Sequence, residues 1–433
     1  MAEEIFDAVV VGAGPAGVAA ALTMARAGLD VVVLERGEYP GSKNLQGGVL
    51  YRHPTEELVP QFWEKAPVER PVVRQSIWLL DEEGAVQVGY GTRQWAQPPY
   101  NAFTVLRARF DPWFAQQAEE AGAMIITSAT VTGLIKEKDQ VVGVRTSLED
   151  GDVYGRVVII AQGVNALLVQ EAGLGPDLRM DQAALGVKEV LALPSEKIED
   201  RFGLEKGEGA TIELVGFATQ GMAGNVFIYT NKDTISFGGG AILSQLVARQ
   251  VNVSDLLDAV RMHPAVKPLL EGAERVEYTA KLMPERGYRH LPRLVGNGVL
   301  VAGDAAGFLN PINREGSNMA MISGKLAGEA VIRAKEKGDF SARGLAWYRE
   351  ALAQSFILKD LKKIQDAVPF LEGNAHFLQA YPHLLSGLMR EYFTVDGRPK
   401  EEKRAKFWNL IRGTVPPLTL VRDALRAWKV MGP

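Results

Sequence analysis

Three glycines near the start of the chain have the spacing that a dinucleotide phosphate requires. Gly12, Gly14 and Gly17 form G-x-G-x-x-G, and Glu35 follows 23 residues after the first glycine. The first glycine of such a fingerprint permits a tight turn, the second lets the backbone approach a pyrophosphate, and the third lets helix and strand pack closely. Glu35 is placed to accept hydrogen bonds from both ribose hydroxyls of an adenosine. The alternative is a glycine turn that binds no ligand.

The residues around the fingerprint predict a strand, a turn, a helix and a second strand. An apolar run reaches Gly12, an Ala-rich segment ends at Gly28, and a second apolar run ends at Glu35. This βαβ pattern is typical of α/β folds, but NAD and FAD share it. A polar, glycine-rich loop at 36–51 then stands where an NAD-dependent dehydrogenase usually continues with a helix. Such a loop can place backbone amides along an extended ligand.

A second group of candidate residues lies about 270 positions later, in VAGDAAGFLNPINREGSN. A predicted strand at 299–302 delivers Gly303 and Asp304, and Asp304 is suited to accept hydrogen bonds from a ribityl chain because ligands bind beyond the carboxyl ends of such strands. A helix predicted to begin near Gly316 points its N–H groups and positive dipole end at the pyrimidine edge of a flavin, which stabilises the anionic reduced ring. Simple packing of this helix against the sheet is the alternative, given its small residues Ala320, Ser323, Gly324 and Ala327.

Two arginines precede a further predicted helix. Asp111 followed by Pro112 is a helix-start signal, and Arg107 and Arg109 lie just before it. One arginine is expected to neutralise a pyrophosphate or adenine-side group, unless both are solvated or structural. A buried strand later ends at Gly163.

Composition excludes several classes of protein. The 433 residues are 47% hydrophobic, so the chain can bury a large core in two or three domains. A net charge of −4 makes nucleic acid an unexpected partner. Cysteine is absent, which excludes disulfides, thiol catalysis and a cysteine-ligated iron–sulfur cluster within this chain. The five histidines lack metal-ligand spacing, and no protein metal site is predicted.

The hydrophobic pattern of the chain also indicates where in the cell the protein is expected. The N-terminus lacks the basic and apolar regions of a signal peptide, and no run approaches the roughly 18 apolar residues of a membrane span. We therefore expect a protein on the cytoplasmic side of the membrane and peripheral to it.

Four segments together resemble the electron-transfer flavoprotein:quinone oxidoreductase family, in its FixC-type branch. They are VVGAGPAGVAAA with LER, GSKNLQGGVLY, RARFDPWFAQQAEEAGA, and GDAAGFLNP with REGSNMAMISGKLAGE. Geranylgeranyl reductases and flavin-dependent aromatic hydroxylases are wider relatives with the same FAD scaffold. The resemblance spans residues 5–345 by motif order. The form K-N-x-x-G-G-x-L-Y, from Lys43 to Tyr51, points to this branch.

The resemblance implies an α/β fold with a FAD-binding Rossmann-like domain of the glutathione-reductase/hydroxylase type. An antiparallel-sheet substrate domain is inserted in this domain, and a helical C-terminal region follows it. It also implies that FAD is the cofactor, and that separate groups of residues bind the adenine end, the middle and the flavin ring of FAD. The expected FAD-binding residues are Gly12, Gly14, Pro15, Ala16, Gly17, Glu35, Arg36, Lys43, Asn44, Gly47, Gly48, Arg107, Gly163, Gly303, Asp304, Gly316, Ser317 and Asn318. No catalytic residue is identified.

The resemblance also implies partners and a reaction. Mitochondrial-type members carry a four-cysteine [4Fe–4S] domain, which this chain cannot form; in the FixC-type branch the cluster resides on a separate ferredoxin-like subunit. Electrons are thus expected to pass from electron-transfer flavoprotein subunits, through the ferredoxin-like subunit and FAD, to menaquinone or ubiquinone. The alternatives are a geranylgeranyl or prenyl-lipid reductase and a non-catalytic, flavin-holding docking subunit. A hydroxylase is less favoured, since no dedicated NADPH site is evident.

The domain prediction places the FAD-binding domain at 1–71, 101–185 and 295–345, the quinone or substrate domain at 72–100 and 186–294, and a helical region at 346–433. An aromatic loop at 89–103 suits a quinone mouth or a membrane interface, or ordinary packing. From residue 389 onward, ten Lys/Arg stand against five Asp/Glu. With Trp408, Leu418, Leu425 and Trp428 interleaved, this segment predicts a basic amphipathic surface for anionic lipid, a partner protein or solvent.

Overall fold

The computed structural model describes residues 5–43, 48–149 and 151–431. The strands, numbered in chain order, are β1 (Ile5–Val11), β2 (Val31–Leu34), β3 (Val49–Tyr51), β4 (Val68–Leu80), β5 (Ala85–Gly91), β6 (Ala102–Val105), β7 (Met124–Ile126), β8 (Val131–Glu137), β9 (Gln140–Thr146), β10 (Asp152–Ile160), β11 (Ala183–Ala192), β12 (Gly209–Gly216), β13 (Gly224–Thr230), β14 (Thr234–Ile242), β15 (Glu274–Pro284), β16 (Val295–Gly296) and β17 (Val299–Val301).

The helices are α1 (Pro15–Arg26), α2 (Arg52–Leu58), α3 (Arg107–Glu120), α4 (Leu167–Glu171), α5 (Ser195–Phe202), α6 (Leu243–Arg249), α7 (Val253–Met262), α8 (Lys267–Leu270), α9 (Ser317–Lys337), α10 (Trp347–Gln354), α11 (Phe356–Lys363), α12 (Ala367–Gly373), α13 (His376–Phe393), α14 (Lys400–Thr414) and α15 (Pro417–Met431). None of the helices in these described ranges is long and apolar enough to cross a bilayer.

The chain forms two compact units, each built from three segments. Unit 1 comprises residues 1–69, 101–183 and 281–363, and unit 2 comprises 70–100, 184–280 and 364–433. The α/β fold with a second, mainly antiparallel sheet and a helical C-terminal region, which the sequence predicts, is observed.

Unit 1 is organised around a largely parallel sheet with the strand order β16-β17-β10-β1-β2-β7. Strand β1 pairs in parallel with both β10 and β2, and α1 makes the crossover between β1 and β2. Strands β1 and β2 are buried on both faces of the sheet. Their sequences are therefore continuous apolar runs rather than alternating apolar and polar residues. The carboxyl ends of β1, β2, β10 and β17 therefore lie at one edge of the sheet.

Unit 2 contains a mainly antiparallel sheet in which β11, β14, β13, β12, β4 and β5 are consecutive neighbours. The exception is the β12–β4 pair, which is parallel, so the sheet is mixed rather than wholly antiparallel. One face packs against α5, α7 and α8 in an apolar core that includes Leu214, Ile228, Phe237 and Leu256.

The C-terminal helices α12 to α15 belong to unit 2. Arg390 of α13 lies 3.7 Å from Asp81 and 3.3 Å from Glu83, at the turn between β4 and β5. Asp423 of α15 is buried, and its carboxylate bonds His376 Nε2 at 2.7 Å and the Tyr381 hydroxyl at 2.8 Å. These contacts attach α13 to the sheet and α15 to α13.

The structure corrects three predicted boundaries. The chain returns from the inserted domain to the FAD-binding unit at 280/281, not at the expected 294/295. The helical region expected to form one domain from residue 346 is divided, with 346–363 in unit 1 and the rest in unit 2. Helix α3 begins at Arg107, not at Asp111, and Pro112 lies inside it. Asp111 bonds the Arg107 side chain one turn earlier instead of capping the helix.

The aromatic loop at 89–103 is likewise not one cluster. Tyr90 packs edge-on against Trp95, with ring centroids 5.4 Å apart, in unit 2. Phe103 is buried in unit 1 against Phe62. The loop therefore divides between the two units, because its last residues enter β6.

Candidate flavin site

The glycine turn after β1 has the geometry that its sequence predicts. Gly12 has φ +102°, and a Cβ there would lie 2.6 Å from the Ala161 carbonyl oxygen. A Cβ on Gly17 would lie 1.9 Å from the Gly12 carbonyl oxygen. At Gly14, by contrast, no described atom lies within 4 Å of such a Cβ. Internal packing therefore explains the first and third glycines, and the space at Gly14 fits a pyrophosphate that approaches the backbone.

Helix α1 directs its amino end into the same turn. Gly14 is its N-cap residue, Pro15 is its first residue, and Pro15, Ala16 and Gly17 are buried. Proline lacks an N–H, and the first-turn amides of Ala16 and Gly17 have no acceptor within the helix itself. These amides and the helix dipole make the turn suited to a phosphate.

Glu35 is fixed beside the turn by two backbone amides. Its Oε2 accepts from Ala13 N at 2.8 Å, and its Oε1 accepts from Gly37 N at 2.7 Å. A carboxylate has about four lone-pair directions, so each oxygen keeps capacity for a ribose hydroxyl. The backbone thus orients the carboxylate before any ligand binds.

The segment after β17 lies directly against the fingerprint helix. Gly303 has φ +64°, and a Cβ on it would lie 2.9 Å from the Ala16 side chain. Its amide donates to Ser323 Oγ of α9 at 3.0 Å. Asp304 follows in a short 3₁₀ helix, Gly303–Ala306, and is partly exposed. The two glycine-containing elements, distant in sequence, therefore form one site.

Helix α9 packs on α1 through two of its glycines. A Cβ on Gly324 would lie 2.0 Å from the Ala16 carbonyl oxygen, and one on Gly328 would lie 2.8 Å from the Ala20 carbonyl oxygen. Glycines at this spacing let the two helix backbones approach closely. The amino ends of α1 and α9 are consequently held close to each other.

Four charged side chains lie beside these helix ends. Arg107 donates to Asp111 through Nε and Nη2 at 2.5 and 2.6 Å, and its Nη1 lies 3.2 Å from Ser317 Oγ. Burial acts to lower the pKa of Arg107, but Asp111 and Asp304 raise it above its usual value. Lys281 Nζ lies 3.7 Å from Asp304 Oδ2. Burial lowers the pKa of Lys281, although Asp304 opposes the effect.

Sequence reasoning missed Lys281. It lies near the end of β15, in a run of alternating residues that leads to Pro284. The only signal was a lysine close to the point where the chain returns from the inserted segment to the flavin unit. A partly buried lysine next to Asp304 makes this part of the site suited to an anionic ligand.

Hydrogen bonds join the two ends of the loop at 310–315, which precedes α9. Asn310 and Glu315 exchange backbone hydrogen bonds of 3.1 and 3.0 Å, and Arg314 between them has φ +62°. The Glu315 carboxylate accepts from Asn318 Nδ2 at 3.1 Å and from Asn310 Nδ2 at 3.3 Å. Burial raises the pKa of Glu315, although these hydrogen bonds oppose the effect.

The predicted ring-binding residues Gly316, Ser317 and Asn318 form the N-cap and first turn of α9. The side chains of Ser317 and Asn318 bond Arg107 and Glu315, so their backbone amides are the groups placed for a ligand.

The remaining predicted FAD-binding residues are less closely grouped in the structure. Arg36 and Lys43 are exposed, and Gly163, with φ +78°, follows the carboxyl end of β10. Gly48 is buried, and its carbonyl accepts from Val105 N at 2.9 Å. Asn44 and Gly47 lie outside the described residues. The Tyr51 hydroxyl donates to the Asn313 carbonyl at 3.0 Å, which brings the end of the 36–51 loop to the loop before α9.

Comparison with known proteins decides the family. A model described as "FAD dependent oxidoreductase" matches residues 7–175, and one described as "ETF-QO/FixC family C-terminal domain" matches residues 367–432. Protein FixC of Bradyrhizobium diazoefficiens is 45% identical over 99% of this chain and 100% of its own length. The chain belongs to the ETF-QO/FixC family. The resemblance read from the four motif segments is thereby confirmed.

Two further proteins are similar to this chain, one in sequence and one in fold. A protein of Escherichia coli named "probable electron transfer flavoprotein-quinone oxidoreductase YdiS" is 43% identical over 93% of this chain and 94% of its own length. A geranylgeranyl bacteriochlorophyll reductase-like protein of Thermoplasma acidophilum superposes with a TM-score of 0.73, covering 98% of this chain and all of that one, at 20% identity. At that identity the likeness shows the shared fold.

FAD is the cofactor of this ETF-QO/FixC member. The glycine cradle, the two helix ends, Glu35 and the cation-rich middle fit its adenosine, pyrophosphate and flavin parts, and FAD supplies the electron-transfer chemistry when bound. In the described part of the chain, no group of three or more His, Asp or Glu side chains could hold a metal ion.

Proposed function

We propose that this protein accepts electrons from an electron-transfer flavoprotein and passes them through its FAD to a membrane quinone. The proposal is supported by the similarity, over 93% of this chain, to the protein named a probable electron transfer flavoprotein-quinone oxidoreductase, together with a glycine turn that fits a dinucleotide phosphate. The proposed electron acceptor is menaquinone or ubiquinone. Binding and orientation of FAD belong to this chain, and the redox chemistry belongs to the flavin.

The proposal includes a separate iron–sulfur subunit as the immediate electron donor. The sequence contains no cysteine, and cysteine thiolates are the ordinary ligands of [4Fe–4S] clusters. A ferredoxin-like partner supplies this cluster and links the two flavoproteins. Affinity purification from the native organism tests the arrangement: a companion with cysteine-ligated [4Fe–4S] clusters and two flavoprotein subunits should co-purify. Purification of the chain without an iron–sulfur companion would contradict it.

The proposal places the protein on the cytoplasmic face of the membrane, held there by α15. Leu418, Val421, Leu425 and Trp428 form one stripe on this helix and are all strongly exposed. Arg422, Arg426 and Lys429 flank the stripe. An exposed apolar stripe with basic edges is the pattern of helices that lie in an anionic lipid surface.

The proposed reaction is tested with the FAD-loaded protein alone. Its flavin is reduced with dithionite under nitrogen, and its reoxidation by menadione or decylubiquinone is followed by stopped-flow absorbance. Rapid reoxidation with formation of quinol is expected. A flavin that reacts with neither quinone, but is oxidised by a prenyl-lipid alkene, would favour a reductase of the geranylgeranyl type. A flavin that neither reaction oxidises would favour a docking subunit.

A further inference from the structure

A carboxylic acid lies beside the amino end of α9, within unit 1. Glu315 directly precedes the N-cap residue Gly316, and its Oε1 accepts from the side chain of Asn318, in the first turn, at 3.1 Å. The amides of this turn have no acceptor within the helix, and the positive end of the helix dipole lies there. Glu315 therefore shares this helix end with any anionic group that binds to it.

Two buried amide side chains fix the position of the Glu315 carboxyl. Asn318 is 2% exposed and Asn310 is 1% exposed, and Asn310 Nδ2 lies 3.3 Å from Glu315 Oε2. The Asn310 side chain is itself held, because its Oδ1 accepts from the backbone amides of Ile312 and Asn313 at 3.1 Å each. The carboxyl can therefore leave the helix end only by breaking this set of hydrogen bonds.

The surroundings of Glu315 favour a carboxyl that can change its protonation state. Burial raises the pKa of Glu315 most strongly, and the bond from Asn318 opposes this effect. The carboxylate of Asp360, in α11, raises the pKa further, and the bond from Asn310 opposes it. Two influences thus favour the neutral acid and two favour the carboxylate, with the neutral acid more favoured than in water.

The cations on the neighbouring segments are directed to other groups. Arg107 of α3 donates through Nη2 to Asp111 at 2.6 Å. Arg314, the residue before Glu315, has its Nη2 3.4 Å from the Tyr51 hydroxyl. Burial, the nearby acid and the two amides, rather than these arginines, therefore set the protonation of Glu315.

We propose that Glu315 takes up a proton when the bound flavin is reduced and releases it when the flavin is oxidised. The proposal deepens the redox role proposed above. It rests on FAD as the cofactor and on the place proposed for the flavin ring at the amino end of α9, and it does not require quinone as the acceptor. As two electrons and one solvent proton enter the ring, a second solvent proton forms an O–H bond with the Glu315 carboxylate. That O–H bond breaks when the ring is oxidised, and both protons return to solvent.

The coupling follows from the shared helix end. A negative charge on the reduced ring and the negative charge of a carboxylate repel each other, and the same helix dipole stabilises both. A nearby like charge raises the pKa of a carboxyl, so reduction of the ring raises the pKa of Glu315 further. By reciprocity, protonation of Glu315 makes the ring easier to reduce by the same free energy.

The extra proton is taken up within one range of pH. Below the pKa of Glu315 with oxidised FAD, which burial places above 4.5, the carboxyl already holds its proton. Above the higher pKa with reduced FAD, the carboxylate stays charged in both redox states. Between these two pKa values, reduction takes up about one more proton per two electrons than the ring alone.

Redox titration of the FAD-loaded protein tests the coupling. The dependence of the flavin midpoint potential on pH gives the protons taken up, and the absorbance of the reduced ring reports the protonation of the ring itself. Within the coupled range of pH, Glu315→Gln should take up about one proton fewer per two electrons than the wild type, with the same reduced-ring spectrum. Reduced-minus-oxidised infrared spectra should show the C=O band of a protonated carboxyl in the wild type and lose it in Glu315→Gln.

Two further variants separate titration from a structural role. Asp360→Asn removes the neighbouring acid, so the range of extra uptake should move to lower pH while the infrared band remains. Glu329→Gln is the matched control in the same helix, at a side chain 34% exposed and 4.0 Å from Lys325, and should behave like the wild type.

Three outcomes would overturn the inference. They are equal proton counts in the wild type and Glu315→Gln, a carboxyl band that persists in Glu315→Gln, and absence of that band from the wild type. Each leaves the quinone function in place, because the reoxidation experiment tests that function separately. A wild type that shows the extra proton but reacts with neither quinone would refute the quinone function alone.

Discussion

A side chain on Gly324 would collide with the main chain of Ala16, because a Cβ there would lie 2.0 Å from the Ala16 carbonyl oxygen. Ala16 lies in the first turn of α1, directly after the glycine turn, and Gly324 lies in the third turn of α9. The close contact therefore sets the positions of two helix amino ends at once. The geometry of the candidate flavin site therefore depends on this contact.

Gly324→Ala should weaken FAD binding and lower stability. The added methyl group forces α1 and α9 apart, and overpacking of this kind costs about 1–3 kcal/mol. FAD release measured by flavin fluorescence, together with denaturant unfolding, gives the two effects. Gly413→Ala in α14 is the control, since no described atom lies within 4 Å of its added Cβ. Equal FAD retention in both variants would show that the helix contact does not shape the site.

Arg107→Lys should reduce both stability and FAD affinity. Lysine keeps the charge but cannot form the two parallel bonds to Asp111, and loss of one buried, charge-assisted hydrogen bond costs about 2 kcal/mol. Thermal unfolding and titration of the apoprotein with FAD measure the change. Arg109→Lys, at a side chain 62% exposed and 3.6 Å from Glu69, should change stability by less than about 0.5 kcal/mol. Similar losses in the two variants would contradict a special role for Arg107.

Glu315→Gln should stabilise the apoprotein at neutral pH. Because burial raises the pKa of Glu315 above its unfolded value of 4.5, its contribution to stability is present below that pH and is lost as pH rises through the folded pKa. Glutamine removes this loss, and its side-chain carbonyl oxygen can still accept from Asn318 Nδ2. Denaturant midpoints should differ at pH 7 and converge near pH 4.

Glu199→Gln provides a control of opposite sign. A backbone hydrogen bond from Gly207 and the contact with Arg70 lower the pKa of Glu199, so its charge stabilises the fold above its unfolded pKa. This variant should be less stable than the wild type at pH 7. A destabilised Glu315→Gln variant at the same pH would show that the carboxylate of Glu315 is the favoured form.

Replacement of Leu418 and Leu425 by serine should weaken binding to anionic vesicles. Burial of two leucine side chains in lipid contributes enough that the dissociation constant should rise by about 10- to 100-fold. Co-sedimentation with vesicles containing phosphatidylglycerol measures it, and vesicles of phosphatidylcholine alone should bind poorly. Val395→Ser, at an apolar residue 91% exposed but outside α15, should bind like the wild type. Unchanged binding by the double variant would refute α15 as the lipid contact.

Local pattern was sufficient to predict the geometry of the glycine turn and of Glu35. The turn at Gly12, the packing of Gly17 and the position of Glu35 all arise within one βαβ unit, where short-range sterics determine the backbone. The position of Asp304 was also predictable, since ligands bind beyond the carboxyl ends of parallel strands.

The features that were missed depend on contacts between distant segments. The packing of α9 on α1 joins residues 16 and 324, and the approach of Lys281 to Asp304 depends on where the chain re-enters unit 1. The predicted start of α3 was wrong for a different, local reason. An Asp-Pro pair normally begins a helix, but Asp111 bonds Arg107 one turn earlier and lets the helix extend back to it.

The division of unit 1 into three segments has a consequence for synthesis of the protein. Its central strand β1 pairs with β10, which then pairs with β17 at residues 299–301, and α9 follows at 317–337. At about 5–20 residues per second, a ribosome needs on the order of 15 seconds or more to add the last of these elements after β1 appears. During that interval β10 lacks its neighbour β17, and α1 lacks its neighbour α9. We therefore expect FAD to bind late in synthesis, after α9 has been added.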